Sequence, residues 1–144
     1  MANVLDAYAL VALIADEPAA GAVEKLLRSG GATITSINLA EAADVASRVH
    51  RIDERTVRNI LEPLILSGSL DVVAPQVDAA WTAARVRAAY YTRRGRALSI
   101  ADCFLLAAAE PEDHVATADP VVADVARAEG IRVIALPDSS GRRP

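Results

Sequence analysis

The sequence predicts a three-layer α/β/α domain with a mainly parallel central sheet. Short segments rich in β-branched and apolar residues alternate with helix-length segments along the whole chain. Several of the strand segments are nearly continuous apolar runs, which is typical of parallel strands covered on both faces. The chain shows neither an internal repeat nor a linker. We therefore expect one domain over residues 1–137, followed by a loose, polar tail at 138–144.

Turn and cap signals divide the chain into its elements. The predicted strands are Val4–Leu5, Thr33–Thr35, Leu70–Ala74, His114–Thr117 and Arg132–Leu136. The predicted helices are Ala7–Ile14, Ala19–Arg28, Ile37–His50, a helix capped by Asp53 and stopped by Gly68, Gln76–Arg94, Ser99–Ala109 and Pro120–Glu129.

Helical spacing also predicts which faces point inward. Ser36 is expected to cap the third helix. The helix after Asp53 carries a stripe of Val57, Ile60, Leu61, Leu64 and Ile65. In the long helix that follows, the expected inward residues are Val77, Ala80, Trp81, Ala84, Ala88 and Tyr91, with Trp81 in the core.

Composition and charge exclude some classes of protein. The net charge of −4 argues against a protein that coats nucleic acid, but an enzyme that cuts nucleic acid needs only a basic rim. The single Cys103 excludes an internal disulfide. No apolar run reaches the roughly 18 residues of a membrane helix, and no basic segment of a signal peptide precedes Asp6. We expect a cytoplasmic protein that does not bind membranes.

Four acidic residues follow strands or begin helices. Asp6 follows the first strand between two apolar segments, where a carboxylate needs a hydrogen bond, an opposite charge or a cation. Glu41, Asp102 and Asp119 each have an alternative interpretation as a residue that caps or stabilises a helix N-terminus. In parallel sheets, ligands bind beyond the carboxyl ends of the strands, and Asp6, Glu41 and Asp119 are expected at that edge.

The four carboxylates together point to a metal. Two unit charges about 4 Å apart repel by roughly 4 kcal/mol at an effective dielectric constant of 20, whereas a helix cap contributes about 1 kcal/mol. Ligands that are all oxygen suit Mg²⁺ or Mn²⁺, while zinc favours His or Cys. The chemistry that follows is metal-assisted hydrolysis of a phosphodiester.

Four motifs in this order resemble the PIN-domain ribonucleases, and most closely the VapC-type toxins of toxin–antitoxin pairs. The motifs are Val4-Leu-Asp6-Ala, Ser36-Ile-Asn38-Leu-Ala-Glu41, Leu98-Ser-Ile-Ala-Asp102-Cys and Ala116-Thr117-Ala-Asp119. The resemblance implies that Asp6, Glu41, Asp102 and Asp119 are the catalytic, metal-binding residues, supported by Thr117 and Asn38. The family often has a small hydroxyl residue two positions after its first aspartate, where this chain has Tyr8.

The resemblance also implies partners: an RNA substrate, a second copy of the chain, and a VapB-like antitoxin. A basic side chain of the antitoxin is expected to enter the acidic site. The arginines at the end of the long helix, with Arg85, form a candidate RNA-binding rim. Each arginine alone is slightly better explained as part of a solvated face, but the rim explains the set better; the set is Arg85, Arg93, Arg94 and Arg96.

Two other functions remain open on the residues alone. A phosphatase or phosphotransfer protein on a similar sheet also collects aspartates at one edge, but a receiver-type domain needs a late lysine, and the only lysine is Lys25. The alternative outside the enzymes is a binding module in which the carboxylates only cap helices.

Overall fold

The computed structural model describes residues 1–144 and alternates strands with helices, as the sequence predicts. The strands are β1 (Asn3–Leu5), β2 (Ala32–Thr35), β3 (Leu70–Val73), β4 (His114–Thr117) and β5 (Arg132–Ala135). The helices are α1 (Ala7–Ala15), α2 (Ala20–Ser29), α3 (Ser36–Arg48), α4 (Glu54–Leu66), α5 (Val77–Tyr90), α6 (Ile100–Ala107) and α7 (Pro120–Ala128).

The five strands form one sheet in the order β3-β2-β1-β4-β5, and every pair is parallel. From β1 the chain first adds β2 and β3 on one side, and then continues with β4 and β5 on the other. The strand order therefore reverses between β1 and β4. Ligand sites in open parallel sheets lie at such a switch point, beyond the carboxyl ends of the two strands.

Helices cover both faces of the sheet, which confirms the three-layer prediction. One core cluster joins Leu5 of β1 to the apolar sides of α1 to α4, and a second joins Val4 to α5, α6 and α7. Val4 and Leu5 are both buried, because successive residues of a strand point to opposite faces. The predicted stripe on α4 is confirmed, since all its residues belong to or pack against the first cluster.

Short polar side chains begin most of the helices. Asp53 caps α4 by accepting a hydrogen bond from the N–H of Thr56 at 2.9 Å. The predicted cap of α3 is wrong by one residue: the cap is Thr35, whose Oγ1 accepts the N–H of Asn38 at 3.0 Å, and Ser36 is the first helical residue. Thr35 ends β2 in the extended conformation that an N-cap requires, so one residue completes the strand and begins the helix.

Helix α5 differs from the prediction in both its length and its inward face. It ends at Tyr90 rather than Arg94, because Thr92 and Arg96 pair with each other in a tight turn. Ala83 and Val86 face the core, whereas Val77 and Trp81 are 69% and 72% exposed. The alanines on both sides of this helix make the two faces similarly apolar, so that helical spacing alone cannot identify the buried one.

No helix combines the length and the apolar character needed to cross a membrane. The division into a domain at 1–137 and a loose tail at 138–144 stays a prediction. Within the tail, Asp138 closes a turn by accepting hydrogen bonds from the N–H groups of Ser140 and Arg142 at 2.8 and 2.9 Å.

The Thr35 cap gives a test of the fold near the site. Thr35→Val removes a fully buried hydroxyl with little change in shape, and we expect it to lower the free energy of unfolding by about 1–3 kcal/mol. Ser36→Ala should change that free energy by less than about 0.5 kcal/mol, because Ser36 is exposed. Urea denaturation measures both, and a larger loss for Ser36→Ala would contradict this assignment of the cap.

Candidate metal-binding active site

A cleft of about 270 Å³ opens at the carboxyl edge of the sheet, at the switch point between β1 and β4. All four predicted carboxylates line it, together with one serine and a small apolar wall. The lining residues are Asp6, Ala7, Tyr8, Val11, Glu41, Val45, Ser99, Asp102 and Asp119. The predicted supporting residues Asn38 and Thr117 are not among the lining residues, but both are buried and hydrogen-bond to neighbouring groups.

Asp6 is the most buried of the four carboxylates, with 5% of its surface exposed. It caps α1, and its Oδ1 accepts the N–H of Ala9 at 2.7 Å. Burial raises the pKa of Asp6 to about 7; hydrogen bonds from Thr117 and from the Ala9 N–H oppose this shift, and the charge of Asp102 adds to it. The charged form of Asp6 is therefore poorly stabilised by the protein alone.

Asp102 lies at the electrostatic centre of the cleft. Its Oδ2 accepts the N–H and the hydroxyl of Ser99 at 2.8 and 2.7 Å, and Ser99 Oγ accepts the N–H of Asp102 at 3.0 Å. Burial raises the pKa of Asp102, Ser99 lowers it, and the charge of Asp119 raises it further. The charge of Asp102 in turn raises the pKa of both Asp6 and Glu41. Asp102 thus interacts with each of the other three carboxylates.

Asp119 and Thr117 connect the end of β4 to the start of α7. Asp119 is exposed and caps α7, with its Oδ1 accepting the N–H of Val121 at 2.7 Å. Thr117 is fully buried, and its Oγ1 accepts the N–H of Asp119 at 3.0 Å. Thr117 also hydrogen-bonds to Asp6, which lowers the pKa of that carboxyl group, so Thr117 contacts the residues that follow both central strands. This contact supports the predicted buttressing position of Thr117.

Glu41 is held in the cleft by the contacts of Asn38, which lies in the first turn of α3. Burial raises its pKa, the charge of Asp102 adds to that shift, and Asn38 opposes it. Asn38 accepts the hydroxyl of Thr35 at 2.5 Å through Oδ1 and donates to the carbonyl of Ala101 at 3.2 Å through Nδ2. These bonds tie α3 to the residue before Asp102, and so fix Glu41 relative to Asp102.

Sequence reasoning missed the part that Thr35 has in this network. The signal was present in the sequence, because a threonine at the end of a strand and a polar residue three positions later are typical of a capping pair. Ser99 was recognised as part of a capping box, but its position in the lining of the cleft follows only from the structure.

The three aspartates cap helices and also line the same cleft. Asp102 and Asp119 each use one oxygen for hydrogen bonds at a helix N-terminus, whereas Asp6 caps α1 through Oδ1 and also accepts a hydrogen bond from Thr117. No three Asp, Glu, His or Cys side chains converge closely enough for one metal ion with the side chains in these rotamers. The donor set itself consists of carboxylate oxygens, which fits Mg²⁺ or Mn²⁺ and disfavours zinc.

Comparison with known proteins identifies the family. The sequence model of the PIN domain matches residues 4–128, which include every element from β1 to α7. This chain belongs to the PIN-domain family. The predicted resemblance to this family of nucleases is confirmed. A search of the curated proteins found no match.

Several solved structures share the PIN fold at low sequence identity. A toxin–antitoxin complex from Klebsiella pneumoniae matches with a TM-score of 0.62 and 19% identity, covering 92% of this chain and 96% of the other. VapBC2 from Rickettsia felis, bound to a DNA fragment from the promoter, matches with a TM-score of 0.67 and 15% identity, covering 93% of this chain and 98% of the other. FitAcB from Neisseria gonorrhoeae matches with a TM-score of 0.59 and 20% identity, covering 91% of this chain and 95% of the other.

Tyr8 gives this PIN domain an aromatic lining where the family motif often has a small hydroxyl residue. Its ring forms part of the apolar wall of the cleft with Val11 and Val45. The Tyr8 hydroxyl is buried and has no hydrogen-bond partner. Burial raises the pKa of Tyr8, and the charges of Glu17 and Asp138 add to the shift. This tyrosine therefore stays neutral and makes that wall of the cleft uncharged.

The predicted arginine rim separates into two parts. Arg85 forms a salt bridge with Glu129 at 2.7 Å, and the hydroxyl of Tyr90 donates to the same carboxylate at 2.8 Å. Arg93, Arg94 and Arg96 lie in the turn after α5 rather than in the helix, and are exposed. That turn leads directly to Ser99 in the cleft. The free positive charge near the site therefore comes from the turn and not from Arg85.

The raised pKa of Asp6 gives a pH test of the metal-free protein. Between pH 4 and pH 7 the folded state holds a proton on Asp6 that the unfolded state has lost, so this group contributes less stability as the pH rises through that window. In EDTA, Asp6→Asn should raise stability at pH 8, by an amount on the order of a few kcal/mol, and should have much less effect at pH 4.5. Asparagine keeps an oxygen for the Ala9 N–H and is a good cap.

The matched control for this test is Asp53→Asn. Asp53 caps α4 in the same way, but its carboxylate is exposed, and hydrogen bonds from Thr56 lower its pKa. Asp53→Asn should therefore not stabilise the protein at pH 8. Thermal melts at several pH values measure both variants. Equal effects of the two substitutions would contradict a specific cost of charge at Asp6.

Proposed function

We propose that this protein is a metal-dependent endoribonuclease that hydrolyses RNA phosphodiester bonds at the carboxylate cleft. The observation that carries the proposal is that carboxylates from α1, α3, α6 and α7 line one cleft at the switch point of a PIN fold. The solved toxin–antitoxin structures with this fold support the further proposal that it is the toxin of a VapBC-type pair, acting in the cytoplasm to inhibit translation and growth.

Asp6, Glu41, Asp102 and Asp119 would hold Mg²⁺ or Mn²⁺ in this cleft. The free oxygens of Asp102 and Asp119 and the carboxylates of Asp6 and Glu41 are donors of the right chemistry. When bound, the ion would supply charge to the scissile phosphate and activate a water for attack. It would also neutralise a cluster in which burial and mutual repulsion raise three pKa values.

The other groups of the chain position these carboxylates. The N-termini of α1, α6 and α7 begin at Asp6, Ser99 and Asp119, so three helix dipoles present their positive ends to the cleft. That field favours ionised carboxylates and a bound phosphate. Thr117 fixes the backbone at Asp119, and Asn38 fixes α3 against α6. These contacts keep the carboxylates in place when metal and RNA bind.

A basic rim would bind the RNA backbone on either side of the cut. Arg93, Arg94 and Arg96 are exposed and precede the cleft residue Ser99. Arg85 belongs to the proposed rim as well, but must give up its salt bridge with Glu129 to contact a phosphate. We therefore expect Arg85 to contribute less than the other three arginines.

We also propose an antitoxin as the protein that restrains this activity. The three solved neighbours include toxin–antitoxin complexes. A groove between α3 and α4 is lined mainly by Leu39, Ala43, Val57, Leu61 and Ile65, and can receive the apolar face of an amphipathic helix. An arginine or lysine from that partner would then pair with Asp6 and Asp102 and replace the charge of the metal.

Self-association into a two-fold dimer completes the proposal. Val77 and Trp81 on α5, and Val49 and Leu66 at the ends of α3 and α4, are large apolar side chains with more than half of their surface exposed. Large apolar side chains that stay exposed in a monomer are typical of residues that an interface covers. The face of α5 that the sequence predicts to point inward is exposed in the structure, and is thus available for a second copy of the chain.

RNA cleavage tests the enzymatic proposal. With Mg²⁺ or Mn²⁺ the protein should cut unpaired RNA and leave 5′-phosphate and 3′-hydroxyl ends, because water rather than the ribose 2′-hydroxyl attacks the phosphorus, the P–O3′ bond breaks and the 3′-oxygen leaves with a proton. Asp6→Ala and Asp102→Ala should abolish cleavage, and Thr117→Val should lower its rate about 10- to 100-fold. Asp53→Ala is the control, since it removes an exposed cap on α4 without touching the cleft. Products with 2′,3′-cyclic phosphate ends would rule out this mechanism.

Co-expression tests the toxin proposal. Expression of the chain alone should arrest growth, and expression with the product of a short adjacent reading frame should restore growth and yield a complex. Binding of that partner should quench RNA cleavage and compete with Mg²⁺ because both need Asp6 and Asp102. Failure of the neighbour to co-purify and to relieve arrest would contradict the toxin role and leave the nuclease proposal standing.

A further inference from the structure

The segment between α5 and α6, residues 91–98, is here called the arginine loop. Together with the last part of α5 it belongs to a stretch, residues 79–101, that contains five arginines and no acidic residue in a chain with a net charge of −4. Of these arginines only Arg85 forms a salt bridge, with Glu129. The free positive charge of this stretch therefore lies on Arg87 and on the loop residues Arg93, Arg94 and Arg96.

Hydrogen bonds fix the shape of the arginine loop. Thr92 and Arg96 exchange backbone hydrogen bonds at 3.2 and 3.3 Å. Thr92 Oγ1 also accepts the N–H groups of Gly95 and Arg96, at 3.2 and 2.9 Å. This tight turn places Arg93 and Arg94 at its exposed tip. The two guanidinium groups thus project from a closed turn, which limits the backbone entropy lost when they bind a ligand.

An aromatic ring lies at the base of the loop. The guanidinium carbon of Arg87 lies 4.3 Å from the ring centre of Tyr91, so one side of the ring is covered by a cation, while 41% of Tyr91 stays exposed. Arg87 is itself fixed, because its Nε donates to the carbonyl of Leu98 at 3.2 Å. Tyr91 is therefore a supported aromatic surface that is open to solvent.

The same contacts place Tyr91 next to the carboxylate cleft. Leu98, which accepts the hydrogen bond from Arg87, is followed directly by Ser99, and Ser99 lines the cleft with Asp102. The Tyr91 ring is thus linked to the rim of the cleft through Arg87 and Leu98, and the guanidinium groups of the arginine loop lie on the same segment. Stacking rings with adjacent basic groups are the means by which proteins bind single-stranded nucleic acids.

We propose that Tyr91 stacks against an unpaired base of single-stranded RNA flanking the scissile phosphate, while Arg93, Arg94 and Arg96 bind neighbouring phosphates. This inference rests on the proposed function and assigns to Tyr91 the binding of an unpaired nucleotide beside the cut. A base inside a duplex is covered on both faces by its neighbours and cannot use the ring. An acidic protein segment would use the arginines alone, so dependence on the ring distinguishes the two ligands.

Fluorescence of 2-aminopurine in a short single-stranded oligoribonucleotide tests the stacking directly. In EDTA, which prevents cleavage, the wild-type protein should quench the probe at one position of the strand. Tyr91→Phe keeps the ring and should preserve the quenching. Tyr91→Leu keeps an apolar side chain without a ring, and should abolish the quenching and weaken binding about tenfold. In cleavage assays Tyr91→Leu should raise KM and leave kcat nearly unchanged, because stacking stabilises the bound substrate and the transition state equally.

Salt dependence tests the phosphate contacts. The double variant Arg93→Ala, Arg94→Ala removes two phosphate contacts. For a single strand, this should reduce the slope of the logarithm of the association constant against the logarithm of the salt concentration by about 1.4 in magnitude. The matched control is Arg28→Ala with Arg127→Ala, which removes the same charge from two arginines paired on other helices, and should leave the slope unchanged.

The outcomes separate this inference from the proposed function. If wild-type protein cleaves RNA with metal, but Tyr91→Leu quenches and binds like the wild type, the inference fails and the nuclease proposal stands. If the wild type neither cleaves nor binds RNA, both fail. If a polyglutamate peptide competes equally well for wild type and Tyr91→Leu and no probe is quenched, the arginine loop binds an acidic protein segment, which overturns the inference.

Discussion

The hydrogen bond from the Ala9 N–H to Asp6 Oδ1 holds a nearly buried carboxylate at the end of the central strand, and the geometry of the site depends on it. Burial of a charged carboxylate is costly unless hydrogen bonds or a cation compensate it. One oxygen of Asp6 is compensated by the start of α1. Asp6 also accepts a hydrogen bond from Thr117. These hydrogen bonds do not offset the effect of burial, which raises the pKa of Asp6 to about 7.

Helix capping leaves part of each carboxylate unused. Asp102 and Asp119, like Asp6, hold the start of a helix with one oxygen, and in Asp102 and Asp119 the second oxygen makes no hydrogen bond. The sheet order brings these three helix starts to one edge, because the chain reverses direction across the sheet between β1 and β4. The stability of the metal-free protein is therefore lowered by the carboxylates that we propose as metal ligands.

The sequence predicted most of the fold because its signals were local. Caps and glycines placed the helices within a few residues, and the position of Asp6 after an apolar strand predicted the acidic edge. The inward face of α5 could not be predicted, since alanines surround both Trp81 and Val86, and packing against α6 and α7 decides which side is buried. The link from Thr35 through Asn38 to Ala101 depends on two helices meeting, which no local pattern encodes.

Titration calorimetry with Mn²⁺ at pH 6.5, in two buffers of different ionisation enthalpy, tests most directly that the four carboxylates form one metal site. Because three of them have raised pKa values, binding should release protons, and the difference between the two buffers gives their number. Asp102→Asn should abolish binding and Asp53→Asn should leave it unchanged. Absence of Mn²⁺ binding, or binding that survives Asp102→Asn without loss of affinity, would contradict a shared site.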